Sequence, residues 1–247
     1  MFRHCLLVKL ILIIFVFNIF CLIIFPQSVF SQKAERYFDR AIEKYEEEDY
    51  DSALVFFNYA IILDPEFYEA YNNRAIIKTK LEDYKGAIED FNKAIELKED
   101  VPEPYFNRGT IKEILGDIHG AIKDYTLAIK YNKDYYKAYF YRGGAKMEIF
   151  DYQGAIDDMN FTIKEEYELS ESYWIRALAK EKLLNYKGAV EDYTKVIAIH
   201  SEYAEAYFNR GKMWLKLNNT VNACNDFKKA AEMDLDEAQG FIDSYCK

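Results

Sequence analysis

The small, apolar and polar positions of the chain recur with one period of thirty-four residues, read most cleanly in Tyr68 to Val101, YEAYNNRAIIKTKLEDYKGAIEDFNKAIELKEDV. Six copies start at Ala34, Tyr68, Pro102, Tyr136, Ser170 and Ala204, and the sixth ends at Glu237. The fourth position is always aromatic, from Tyr37 and Tyr71 to Tyr173 and Tyr207. The eighth is always small (Ala41, Ala75, Gly109, Gly143, Ala177, Gly211), and the twentieth is always alanine, from Ala53 to Ala223. Large side chains occupy the twenty-fourth: Phe57, Phe91, Tyr125, Met159, Tyr193 and Phe227. Two antiparallel helices approach closely only where small residues face each other and aromatics fill the space above and below. The pattern therefore predicts one packed helix pair per copy. At the sixteenth position Asp49, Asp83, Asp117, Asp151, Asn185 and Asn219 are placed to cap each second helix.

This period and these positions resemble the tetratricopeptide repeat, a helix-turn-helix unit of the same length. The resemblance implies an all-α fold, a right-handed α-solenoid of tandem repeats over 34–67, 68–101, 102–135, 136–169, 170–203 and 204–237. Residues 238–247, AQGFIDSYCK, start like a seventh first helix and are expected to cap the last apolar face. Asp64-Pro65 ends the first repeat as is usual in the family, whereas Glu99, Lys133, Tyr167, Ser201 and Leu235 stand where that proline would be. The later inter-repeat turns are accordingly expected to be less rigid and their helices to run further.

Two positions depart from the family's packing pattern. The seventh, commonly leucine, is arginine in every repeat: Arg40, Arg74, Arg108, Arg142, Arg176 and Arg210. The twenty-third is aspartate in five repeats (Asp90, Asp124, Asp158, Asp192, Asp226) and Phe56 in the first. Antiparallel helices bring these positions together, which predicts a ladder of Arg-Asp pairs that fixes helix register. Lys44, Lys78, Lys112, Lys146 and Lys180, at the eleventh position, read most simply as solvated helix surface, with a role in an outer charge network as the alternative.

In proteins that look like this, first helices line a concave groove, and the second, fifth, sixth and ninth positions point into it. Here the fifth positions are Phe38, Asn72, Phe106, Phe140, Trp174 and Phe208; the sixth include Asn73, Asn107, Tyr141 and Asn209. The second positions are Glu35, Glu69, Glu103, Lys137, Glu171 and Glu205. These residues describe an aromatic floor with an acidic edge, suited to a protein or peptide segment with apolar anchors and basic residues. Asparagine offers both a donor and an acceptor to a bound main chain. In the competing reading the aromatics only fill helix seams and the acids only solvate. The carboxylate clamp of chaperone-binding family members is disfavoured, because position five is never lysine and position six never arginine.

The N-terminus is a separate object. Arg3, His4 and Lys9 precede an apolar run from Leu10 to Phe25 broken only by Asn18, and Pro26 follows. Residues 1–31 have the layout of a signal peptide, with a small-residue site at Val29-Phe30-Ser31, or of an uncleaved membrane anchor over residues 5–25. Both readings put the repeats outside the cytoplasm, periplasmic, secreted or anchored, since the basic flank stays inside. That leader holds Arg3 and Lys9 and no acid, so the remainder is more acidic than the whole chain at −10. Such a charge repels phosphate backbones and argues against nucleic acid.

Catalytic and cofactor chemistry finds no support in the sequence. His4, His119 and His200 share no repeat, and no Gly-rich phosphate loop, Cys-x-x-Cys pair or His-Glu-x-x-His motif occurs. No metal, no cofactor and no enzymatic activity are expected; an enzyme built on groove carboxylates is the disfavoured alternative. Outside the leader only Cys224 and Cys246 remain, free to join in an oxidising compartment or to stay as small buried thiols. The expected function is a non-catalytic protein-binding scaffold or adaptor, with an accessory or spacer subunit of an envelope assembly as the alternative.

Overall fold

A computed structural model of the chain describes residues 29–246. The signal-or-anchor segment, apart from its last three residues, lies outside them. The chain divides between Asp100 and Val101 into two compact units. The N-terminal unit holds α1 (29–46), α2 (Tyr50–Leu63), α3 (Tyr68–Lys80) and α4 (Tyr84–Leu97). The C-terminal unit holds α5 (Pro102–Ile114), α6 (Ile118–Tyr131), α7 (Tyr136–Glu148), α8 (Tyr152–Lys164), α9 (Leu169–Lys182), α10 (Tyr186–Ile199), α11 (Ala204–Lys216), α12 (Thr220–Ala231) and α13 (Asp236–Tyr245). The described residues contain no strand, and no helix among them is long and apolar enough to cross a membrane. Within each unit, from α2 to α4 and from α5 to α13, each helix packs on its successor in sequence, which makes the fold an all-α solenoid of helix pairs.

The small and aromatic positions meet as their spacing predicts. All six side chains at the twenty-fourth position are fully buried, each a gain of roughly 2–3 kcal/mol over exposure. At Gly109 and Gly211 a Cβ would come within 2.8 Å of Tyr125 and 2.7 Å of Phe227. A ring lies against the helix backbone at both places, and glycine makes room for it.

Turn chemistry sets the second helices. The Asp83, Asp117 and Asp151 carboxylates accept from the backbone N–H of Gly86, Gly120 and Gly154, each at 3.0 Å, and Asn185 does the same for Gly188. Within these turns the fifteenth position takes a left-handed backbone, φ 81° at Gly116 but also 63° at Phe150 and 61° at Leu184.

The later second helices do not run further for lack of proline. Helices α4, α6 and α10 each have 14 residues, the same as α2. In repeats one, three and five the chain after the second helix instead turns inward, and the last residue of the repeat packs on the fifth-position ring. Phe67 meets Phe38 with ring centroids 4.8 Å apart, Tyr135 meets Phe106 at 5.4 Å, and Tyr203 meets Trp174 at 4.9 Å. In the fourth repeat Tyr167 takes that place against Phe140, and the turn that follows is irregular, with Glu168 at φ 41°. There α9 starts at Leu169, one residue before the repeat boundary.

The Arg-Asp ladder forms in five repeats. Arg108 donates through Nε and Nη2 to the two oxygens of buried Asp124 at 2.8 and 2.6 Å, and Arg74, Arg142, Arg176 and Arg210 repeat that fork on their aspartates. In the first repeat, where Phe56 replaces the aspartate, Arg40 lies over its ring at 4.4 Å. The lysines of the eleventh position are not simply solvated, which corrects the sequence reading. Lys78, Lys112, Lys146 and Lys180 each place Nζ 2.8 Å from the same aspartate, so one buried carboxylate holds two cations. Only Lys44, whose repeat lacks the aspartate, points elsewhere, to Glu47.

A further tie was missed in the sequence. The second Nη of Arg74 donates to Asn58 of the preceding repeat at 2.6 Å, and Arg142, Arg176 and Arg210 reach Thr126, Asn160 and Thr194 at 3.1, 2.7 and 3.0 Å. The signal was present: the twenty-fifth position is Asn or Thr in every repeat but the last, where Lys228 has no arginine to follow.

Helix α13 closes the C-terminal unit. Ala238 is fully buried, and Phe241 packs on Phe208 and Phe227 at 5.1 and 5.0 Å. Cys224 of α12 and Cys246 are joined in a disulfide, with Cα atoms 5.6 Å apart.

Candidate functional site

In the C-terminal unit the first helices α5, α7, α9 and α11 form one row. Helices α7 and α9 touch directly, and Tyr141 of α7 meets Phe106 of α5 at 5.3 Å. Residues at the second, fifth, sixth and ninth positions share the face of this row.

The fifth-position aromatics lie mostly in the seams beneath that face. Phe106 and Phe208 are 3% and 7% exposed. Phe140 and Trp174 are half-buried against Tyr167 and Tyr203, and so is Phe38, in the N-terminal unit, against Phe57 and Phe67. Their edges, rather than their faces, are what a ligand would meet. The sixth position supplies the half-buried side chains that reach the surface: Asn107, Tyr141, Ile175 and Asn209. Among the described residues the amides of Asn107 and Asn209 have no hydrogen-bond partner.

The N-terminal unit presents two amides side by side. Asn72 stands at the fifth position where other repeats carry a ring, and its Oδ1 is buried without a partner. Asn73 donates Nδ2 to the Glu69 carbonyl at 2.9 Å, which leaves its acceptor outward. A buried unpaired acceptor is costly, and an N–H from a bound segment would satisfy it.

Two features of the C-terminal face were not read in the sequence. Lys137, the one cation at the second position, places Nζ 5.1 Å from the centre of the Phe106 ring and 6.0 Å from that of Tyr141. It shows that this ring pair accepts a cation. Below it, Tyr125 donates its hydroxyl to Glu113, and Tyr193 donates to Glu181 at 3.3 Å. Burial raises the Glu113 carboxyl, the Tyr125 hydroxyl bond lowers it in part, and nearby Glu148 adds to the rise. Burial and then the Glu103 carboxylate push Tyr135 from 10.0 up to about 12. Tyr203 is raised by burial and by Glu205 and Glu171. Tyr135 and Tyr203 are thereby held as neutral donors. Among the described residues no group of three or more His, Cys, Asp or Glu is placed to hold a metal.

Sequence models described as the tetratricopeptide repeat match two consecutive stretches, residues 68–101 and 102–135. Their boundaries coincide with two of the six copies. Residues 68–135 are two tetratricopeptide repeats. No curated protein sequence matches it. Among solved structures, it resembles the C-terminal part of a tetratricopeptide-repeat protein from Cytophaga hutchinsonii, with a TM-score of 0.73 and 19% identity over 84% of this chain and 87% of that one. YrrB, described as a tetratricopeptide-repeat protein with an unusual peptide-binding site, superposes with a TM-score of 0.69 and 17% identity, covering 73% of this chain and 93% of its own. MamA from Desulfovibrio magneticus RS-1 gives 0.63 and 17%, over 68% and 94%. At these identities the likeness establishes the tetratricopeptide fold.

Proposed function

We propose that this tetratricopeptide-repeat protein is a non-catalytic adaptor that binds an extended segment of another protein along its first-helix face, outside the cytoplasm. The observation that carries the reading is the row of sixth-position side chains, with the unpartnered amides of Asn107 and Asn209 flanking Tyr141 and Ile175. Main-chain groups of a segment pair with the amides. Its apolar anchors lie on Ile175 and on the edges of Phe140 and Trp174. Glu103, Glu171 and Glu205 along the rim are exposed and favour lysine or arginine in the partner. The Lys137 ammonium over Phe106 marks where such a cation gains from the rings. The peptide-binding site of YrrB, on a related fold, supports the same use here.

Affinity capture with the full chain, from a lysate of its own cells, tests the reading. The comparison is a variant carrying Asn107→Ala, Ile175→Ala and Asn209→Ala, checked as folded by circular dichroism. A protein held by the parent and lost by the variant is expected; identical capture by both contradicts it. The location is tested separately. A membrane-impermeant amine reagent, applied to cells whose outer envelope is opened and whose cytoplasmic membrane is intact, is expected to label exposed Lys123 and Lys195, and protection until lysis contradicts an extracytoplasmic site.

A further inference from the structure

The large apolar side chains that the C-terminal unit leaves exposed are not scattered. All except Ile199 and Tyr245 fall in or beside the turns that join first to second helices: Ile114 and Leu115, Phe150, Leu183 and Leu184, Leu217 and Val221. Helices α5, α7, α9 and α11 run in the same direction, so these turns share one edge of the unit. At its tips Phe150 is 75% exposed, Leu184 70% and Val221 73%.

The fold does not ask for these residues. In the N-terminal unit the equivalent turns read Glu47-Glu48-Asp49 and Leu81-Glu82-Asp83. Phe150 and Leu184 also occupy the left-handed backbone position, at φ 63° and 61°, where repeats three and six have Gly116 and Asn218. Glycine and asparagine are the residues that conformation tolerates well. A phenylalanine and a leucine there are strained, unburied, and without a packing role that would explain them.

The charge of this edge differs from that of the chain. Segments 182–188 and 216–222 contain Lys182, Lys187 and Lys216 and no carboxylate, in a protein of net charge −10; Glu181, which borders them, shares a hollow with two lysines, Lys212 and Lys216. Lys182, Lys187 and Lys216 are exposed, and among the described residues none is in an ion pair. Towards Phe150 the edge turns acidic, with Glu148 and Asp151, so the basic part is centred on the fifth and sixth repeats.

We propose that this edge is a membrane-docking surface, which sets the Leu184, Leu217 and Val221 tips into the interface of a bilayer bearing anionic lipids. Separate exposed apolar tips with lysines beside them suit a planar, deformable surface. The lysines beside them reach the headgroups while their stems follow the apolar tips. This surface is distinct from the first-helix face, which stays free for a protein segment. The apolar run from Leu10 to Phe25 would bring the repeats to a bilayer, but the assignment of the edge does not depend on it.

The test uses the full chain with vesicles of phosphatidylcholine, with and without phosphatidylglycerol, and with brominated acyl chains as a quencher. Tryptophan is introduced at Leu184→Trp, Val221→Trp and, as a control away from the edge, Ile199→Trp; the parent protein supplies the signal of Trp174 and Trp214. Bromolipid is expected to quench the added tryptophan at 184 and 221 in anionic vesicles and to spare 199. Combining Lys182→Glu, Lys187→Glu and Lys216→Glu with Leu184→Trp, in protein that keeps its helical circular dichroism, is expected to weaken the edge contact by about a hundredfold and abolish quenching. Three results overturn the proposal. One is an unquenched 184 and 221 in vesicles that retain the protein, and another is equal quenching at 199. The third is a lipid-independent blue shift at 184 that follows protein concentration, which would make the edge a contact between two copies of the chain.

Discussion

A buried aspartate with one cation forked across both oxygens and a second on one of them sets the energetics of each complete repeat. Removing the aspartate leaves an arginine and a lysine facing one another with no counter-charge. Asp158→Ala is therefore expected to cost about 3–5 kcal/mol in urea unfolding, whereas Lys146→Met, which leaves the Arg142 fork intact, is expected to cost under about 1 kcal/mol. The strained tips behave in the opposite sense. Phe150→Gly relieves a left-handed phenylalanine that packs on little besides Tyr152 and is expected to stabilise the fold by about 1 kcal/mol. The phenols give a pH dependence. Tyr135 is raised in the fold, so its contribution is fully present below its ordinary value of 10.0 and is lost as pH climbs towards about 12. Melting temperature is expected to fall across that window and to fall less in Tyr135→Phe. The Arg-Asp half of the ladder was legible in the sequence because both residues recur in register. The lysine half was not, because position eleven faces outward on an isolated helix and only the packed partner shows where its chain bends.

Helix ends show where residue spacing suffices and where it does not. The caps at Asp83, Asp117 and Asp151 follow from a local rule, a short acceptor three residues before a free N–H, and the fold uses them so. The ends of α6 and α10 are followed by a ring packed on a first helix, Tyr135 against Phe106 and Tyr203 against Trp174, and no proline marks them. The same contacts turn the fifth-position aromatics into seam fillers, which spacing alone cannot distinguish from groove lining. Helix α13 is held by Phe241, Ala238 and the Cys224-Cys246 bond, whose partners are 22 residues apart in sequence. Closing a loop of that length contributes about 3 kcal/mol through the unfolded state. Cys246→Ser is expected to lose up to that amount in guanidinium unfolding and to raise amide exchange first in α13.

For the molecule as a whole, the net charge is −10 and Glu103, Glu171 and Glu205 are exposed along one row of first helices, which is the ground for proposing a partner of opposite charge. The period that builds the solenoid was legible from residues 34 to 237, since close packing imposes the same residue types on every copy. The sixth-position asparagines were legible as candidates from their place in the repeat, but that the amides of Asn107 and Asn209 lack partners among the described residues depends on how the helices pack, which the spacing does not give. The most direct measurement places a photo-crosslinking phenylalanine derivative in the full chain, in its own cells, at Tyr141 or Ile175 on the first-helix face, and at Lys123 or Glu191 on exposed second-helix surfaces. A discrete protein adduct from 141 and 175, absent from 123 and 191, is the predicted result. No adduct at 141 and 175, or the same adducts from all four positions, would contradict the assignment of that face as the binding surface.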